Sequence, residues 1–259
     1  MLTARVPDTW QELQNEVARI LNECGFTASV EHPLALARGQ ADIDVYAEEN
    51  INGRRNLILC ECKHWKTAVP QNVAHGFRTV AQDAGANAGY IIGLNGFQAG
   101  AYQAIENTNI RLVTWLEFQA EFELTWLQTY FVPTVTDELD PLLTYTEPFA
   151  PAWFGNLTDD EQDAFVALVH QHVPVGILTM MLSRWGRISR GIDNPSFPAL
   201  PLRSAEEPPI DKDGIPDEIL DAVGYRDLLD ALLHYGHAAI AEFRLYRETA
   251  LSRRGGQDA

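Results

Sequence analysis

The spacing of apolar positions changes several times along the chain. Between Thr9 and Gly25 they recur every three or four residues, so that Leu13, Val17, Ile20, Leu21 and Cys24 share one helical face. Thr9 followed by Glu12 is a capping-box pattern and Gly25 a natural stop, which together predict an amphipathic helix. Residues 27–37 read as a weaker extended stretch. An alternation of two then takes over, in "ADIDVYA" and "NLILCECK", and predicts strands near 41–47 and 56–63. The polar turn between them contains "NGRR", so the pair is expected to form a hairpin. After Pro70 the helical period returns with Val73, Phe77, Val80, Ala81 and Ala84. A buried strand at 88–94, a second helix in "GFQAGAYQAIEN", a strand at 110–115 and a Leu- and Phe-rich helix over 116–131 follow. Strand, helix, strand, helix, strand implies parallel pairing, with crossover helices covering the sheet.

From Val132 to Trp153 the periodicity gives way to Pro, Thr and acid, "VPTVTDELDPLLTYTEPFAPAW". The rest reads as helical over 158–173, 175–190 and 217–252, with a break near Gly224 and a proline-rich loop over 194–216. The expected organisation is an α/β domain over 1–131, a linker over 132–155 and a mostly α-helical regulatory or interaction domain over 156–259. No internal repeat is evident.

Composition narrows the class. With 46% hydrophobic and 21% charged residues in 259, the chain is that of a globular protein with a real core. It lacks a run of eighteen apolar residues and a signal-peptide pattern at the N-terminus, so a cytoplasmic protein without a membrane partner is expected. Three cysteines, Cys24, Cys60 and Cys62, are too few for a disulfide framework. The net charge of −17 argues against loose, sequence-independent attraction to DNA, though not against a local basic groove. Residues 1–131 hold 9 Lys+Arg against 15 Asp+Glu, and 132–259 hold 10 against 21, so the helical half is the more acidic.

The candidate chemistry sits in the hairpin. On a strand Asp42 and Asp44 alternate with Ile43 and Val45, while Glu61 and Lys63 share a face opposite Cys60 and Cys62. If the two strands pair, Asp44, Glu61 and Lys63 converge. Carboxylates held close are forced toward protonation unless a cation sits between them. A hard divalent ion such as Mg²⁺ or Mn²⁺ resolves that conflict, and Lys63 adds a positive charge beside it.

Asp44, sixteen intervening residues, then Glu61-x-Lys63 resembles the PD-(D/E)xK motif of the restriction-endonuclease-like superfamily. The wider pattern, "IDVYA", "LILCECKHWK", a helix, then "AGANAGYIIGLNGFQAGAYQAIENTNIRLVTW", resembles the catalytic domain of Mrr-like restriction endonucleases over about residues 8–118. The resemblance implies a restriction-endonuclease-like mixed sheet flanked by helices. It also implies a metal-dependent deoxyribonuclease, with Asp44 and Glu61 as metal ligands and Lys63 as the catalytic lysine. An extra acidic ligand on the first helix would align with Gln14, leaving Glu16 as the nearby candidate. The glutamine on the helix after the lysine matches Gln71. Where the family commonly has Thr-Thr-Ser before "GF", this chain has Gly93, Leu94 and Asn95.

Trp65 and Lys66, just past the second strand, are candidate nucleic-acid contacts; RNA in place of DNA is not distinguished by the motif, which reads a phosphodiester. A restriction or phage-defence setting, with activity controlled by a partner protein or a second copy bound through the helical half, is the expected context. The alternative is a non-catalytic, nuclease-like scaffold whose acidic surface binds a partner. Cys60-x-Cys62 with His64 reads as core cysteines rather than a zinc site, because structural zinc usually draws four ligands from loops. His170, His172, His234 and His237 read as solvated or satisfied histidines. "DKDGIPDE" reads as a polar loop with Asp217 as an N-cap, lacking EF-hand spacing.

Overall fold

The computed structural model describes residues 1–37, 39–186, 197–206 and 211–255. The chain divides into two compact units, Met1–Tyr130 and Phe131–Ala259.

The first unit opens with helix α1, Trp10–Glu23. Thr9 Oγ1 accepts from the Glu12 amide at 3.1 Å, while the Glu12 carboxylate accepts from the Asp8 amide at 2.7 Å, one residue before the position a capping box would use. Five strands follow: β1 Thr27–Leu36, β2 Gly39–Ile51, β3 Arg54–Lys63, β4 Ala88–Gly93 and β5 Ile110–Thr114. They lie in the sheet in chain order. The pairs β1/β2 and β2/β3 are antiparallel, and β3/β4 and β4/β5 are parallel. The stretch 27–37 is thus a full edge strand.

The hairpin joint is Asn52-Gly53, with Ile51 opposite Arg54. Both turn residues have positive φ, 50° and 77°. A two-residue turn of that kind matches the twist of the flanking strands, and glycine adopts it without strain. The parallel half carries crossover helices α2, Gln71–Ala84, and α3, Ala99–Ile105. Helix α4, Trp115–Trp126, starts at a capping box formed by Thr114 and Glu117. Helices α2 and α3 cover one face of the sheet, and α1 and α4 pack together on the strands as the other layer. Leu57, Leu59, Ile91, Ala74, Phe77, Ala81, Ala101 and Ala104 form the core beneath α2 and α3.

The second unit is helical. Residues 132–146, expected as linker, form helix α5, Val132–Thr146, which buries Val132, Val135, Thr136, Leu139 and Leu142. The reason is that these residues keep the three-to-four spacing of a buried face despite the surrounding Pro, Thr and acid. Residues 158–173 and the start of 175–190 are one helix, α6, Asp159–Leu182, with Pro174 inside it. A proline removes one helical hydrogen bond, and burial of the face bearing Phe165, His172, Val175, Leu178 and Leu182 holds the helix across it. Helix α6 is long and apolar enough to cross a membrane by length and composition. It packs against α5 and the last helix, and 39% of its apolar stretch is buried.

Residues 217–252 resolve into a short helix α7, Asp217–Leu220, and a long helix α8, Tyr225–Gly255, which breaks the pattern near Gly224 as the sequence suggests. The cap of α7 is Pro216, so Asp217 is its first helical residue rather than its N-cap. The expected helix end at 187–190 and loop residues 194–196 and 207–210 lie outside the described residues.

Candidate active site

The regular ladder between β2 and β3 ends at Val45 opposite Cys60. One step further the register brings Asp44 opposite Glu61, and there a side chain replaces the backbone partner: Asp44 Oδ2 accepts the Cys62 amide at 2.7 Å. The strands therefore part at the residues whose side chains carry charge. Because Leu57, Leu59, Glu61 and Lys63 alternate onto one face, the two charged positions continue an apolar row toward the open end of the sheet.

Lys63 joins the two acids. Its Nζ is ion-paired with Glu61 Oε1 and lies 3.9 Å from Asp44 Oδ2. Burial is the larger cause, and the neighbouring Asp44 the second, that push the Glu61 pKa above the usual carboxylate range; Lys63 opposes both. One ammonium is thus shared by two half-buried carboxylates.

A cavity of about 680 Å³ opens beside them, lined by Trp10, Gln14, Glu31, Asp42, Ile43, Asp44, Cys62, Lys63, His64 and Trp65. Asp44, Lys63 and Trp65 of the expected site line it. Glu61 reaches it only through Lys63. Gln14 is 6% exposed and faces the cavity from α1, whereas Glu16 lies off it, with its carboxylate 3.8 Å from Arg19 Nη1. Two residues on one helix differ because only positions on the buried face of α1 reach the sheet. Gln71 also lies off the cavity: its Nε2 is 3.1 Å from His75 Nε2 and its side chain packs at Gly100. Lys66 is exposed and does not line the cavity.

Asp42, read from the strand alternation together with Asp44, lines the cavity too, whereas Trp10 and Glu31 are additions that no sequence pattern singled out. Glu31 falls opposite Asp44 in the β1/β2 register, at a position where that ladder is interrupted. Its φ of 48° is in the left-handed region, a conformation a glutamate holds only when its surroundings impose it. In the sequence it looked like a polar position of a weak strand.

The cysteines behave as core groups. Cys60 and Cys62 are buried, and burial pushes both thiols well above their ordinary range. His64 Nε2 donates to the Pro7 carbonyl at 3.0 Å. Among the described residues, no three His, Cys, Asp or Glu side chains form a metal-binding cluster. Asp44 and Glu61 nevertheless suit a hard divalent ion: both are oxygen donors, and they converge on one positive charge. Gln14 adds a neutral amide oxygen on the same cavity.

The crystal structure of a protein of unknown function, AF1548, matches 64% of this chain and 98% of its own at 19% identity, with a TM-score of 0.37. No curated protein matches. The family model Mrr_cat, described as a restriction endonuclease, matches residues 8–121. That span holds the whole sheet, the charged ends of β2 and β3, and the cavity. Residues 8–121 are therefore similar to a restriction endonuclease catalytic domain, in agreement with the resemblance carried by "IDVYA" and "CECKHWK".

Proposed function

We propose that this domain is a metal-dependent endonuclease that hydrolyses DNA phosphodiester bonds. The observation that carries the reading is the meeting of Asp44, Glu61 and Lys63 where β2 and β3 part, beside a cavity large enough for a nucleotide. Mg²⁺ or Mn²⁺ held by Asp44 and Glu61 would supply Lewis acidity and lower the pKa of a bound water. The chain's own groups do the rest. The Cys62 amide fixes the Asp44 carboxylate, so its orientation does not depend on the ion. Lys63 donates to the phosphate oxygens and stabilises the negative charge that accumulates as the water oxygen bonds to phosphorus and the P–O ester bond breaks. Burial and the neighbouring Asp44 raise the Glu61 pKa, and Lys63 opposes both, favouring the charged carboxylate.

Control by assembly through the helical unit, in a restriction or phage-defence setting, belongs to the same reading. It is supported by the exposed apolar residues Val166, Ile177 and Met180 along α6 in an otherwise acidic half of the chain.

A second reading has its own observation. Lys63 is already shared between both carboxylates, which suits a structural ion triad in a non-catalytic scaffold. Cleavage of supercoiled plasmid by wild type and Lys63→Ala, with Mg²⁺, Mn²⁺ or EDTA, separates the two. The nuclease reading expects metal-dependent nicking that the variant loses. Silence from both proteins, with calorimetry showing no divalent ion bound, would leave the scaffold.

A further inference from the structure

The cavity beside Asp44 and Lys63 has an unusual rim. Trp10 and Trp65 both line it, and they are 46% and 42% exposed. Large apolar rings left open to water on one cavity are a binding surface more often than an accident of packing. The remaining charged lining is acidic, Glu31, Asp42 and Asp44, with Lys63 as the lysine of the cavity.

The acidic lining offers no basic track for phosphates, duplex or single-stranded, so the rings rather than charge decide which form the cavity suits. A duplex keeps its bases stacked on one another, out of reach of the indoles. An unpaired strand presents bare base faces, and stacking on aromatic rings is the sequence-tolerant way to hold them.

Trp65 is built for that role. Its carbonyl accepts from Asn95 Nδ2 at 2.5 Å, which ties the start of the loop after β3 to the loop after β4. Lys63 Nζ lies 5.6 Å from the centre of its ring. A base stacked at Trp65 therefore has its phosphate near the lysine of the proposed reacting centre. Trp10 is the first residue of α1, next to its cap, so it too is carried on a fixed backbone.

We propose that Trp10 and Trp65 form a stacking platform for unpaired bases, and that the substrate of this site is single-stranded or locally unpaired nucleic acid, DNA in the first instance. The proposal rests on the nuclease reading for its purpose but not for its test. The test is anisotropy of fluorescein-labelled oligo(dT) of roughly a dozen nucleotides, oligo(rU) of equal length, and a matching duplex, with the full chain, in EDTA and again with Ca²⁺. The single strand is expected to bind at least about tenfold more tightly than the duplex, and Trp10→Ala and Trp65→Ala to weaken it by about tenfold each. Trp10→Phe and Trp65→Phe should recover most of the loss, which separates stacking from misfolding.

Equal or tighter duplex binding, or alanine variants that bind the single strand as wild type does, would overturn the proposal; so would no binding of any oligonucleotide. Tighter binding of oligo(rU) with the same tryptophan dependence would support the platform and move the substrate to RNA. Tryptophan-dependent single-strand binding by a chain that never cleaves would keep the platform and remove the nuclease. Duplex cleavage indifferent to both tryptophans would do the reverse.

Discussion

Replacing Lys63 by methionine removes one positive charge while keeping the length of the side chain. The ammonium is ion-paired with Glu61 and lies 3.9 Å from Asp44 Oδ2. At about 4 Å a unit-charge pair is worth about 1 kcal/mol in water and about 4 kcal/mol at an effective dielectric constant of 20. The three side chains are 17%, 24% and 25% exposed, so each attraction falls between those limits. In Lys63→Met the carboxylates face each other without the ammonium, and the Glu61 pKa, already raised by burial and by Asp44, rises further. Two consequences of opposite sign follow. A divalent ion no longer competes with the ammonium, so its affinity rises by about fivefold even at the 1 kcal/mol limit. Cleavage, which needs the ammonium on the phosphate, falls by at least about a hundredfold, or about 2.7 kcal/mol of barrier. Mn²⁺ titration by calorimetry and plasmid cleavage at saturating metal, on one preparation, read both. Weaker Mn²⁺ binding in the variant refutes the competition argument; undiminished cleavage refutes the role of Lys63.

Asp44→Asn keeps an acceptor for the Cys62 amide and is expected to fold like wild type while losing cleavage, whereas Asp44→Ala strands that amide and costs about 1–3 kcal/mol in urea unfolding. Leu59→Ala, at a fully buried position of β3, should cost about 2–5 kcal/mol by the same measurement. Thr158→Ala removes the cap of α6 and should cost about 0.5–2 kcal/mol, seen as a lower melting temperature. His172 is buried with Nδ1 2.7 Å from the Tyr235 hydroxyl and Nε2 unpartnered, and burial lowers its pKa below 6.5. The folded state therefore holds it neutral while the unfolded chain protonates it; its stabilising contribution is present above about pH 6.5 and is lost below it, by at most about 1.4 kcal/mol per pH unit. His172→Phe should flatten that part of the stability profile, and an unchanged slope between about pH 7 and pH 5.5 would count against the argument.

The elements that the chain encodes locally were legible from one sequence. The face of α1, the Asn-Gly turn of the hairpin and the change of period after Pro70 all depend on neighbours within a few residues, and "IDVYA" with "CECK" put Asp44, Glu61 and Lys63 on paired strands. Helix α5 was not legible, because its proline and acids mask a buried face that only packing against α6 and α8 reveals. Pro174 suggested a break that tertiary burial overrides.

The site divides along the same line. Sequence alone determined which residues carry charge and which strands they ride on, since strand alternation is a property of the local backbone. Tertiary structure alone decided which residues from distant elements share the cavity: Gln14 rather than Glu16 from α1, Glu31 across the edge strand from Asp44, and Trp10 on the same rim as Trp65, with Gln71 and Lys66 left outside. The physical reason is that those meetings are set by how α1 docks on the sheet and where β2 and β3 part, and neither leaves a periodic mark on the chain.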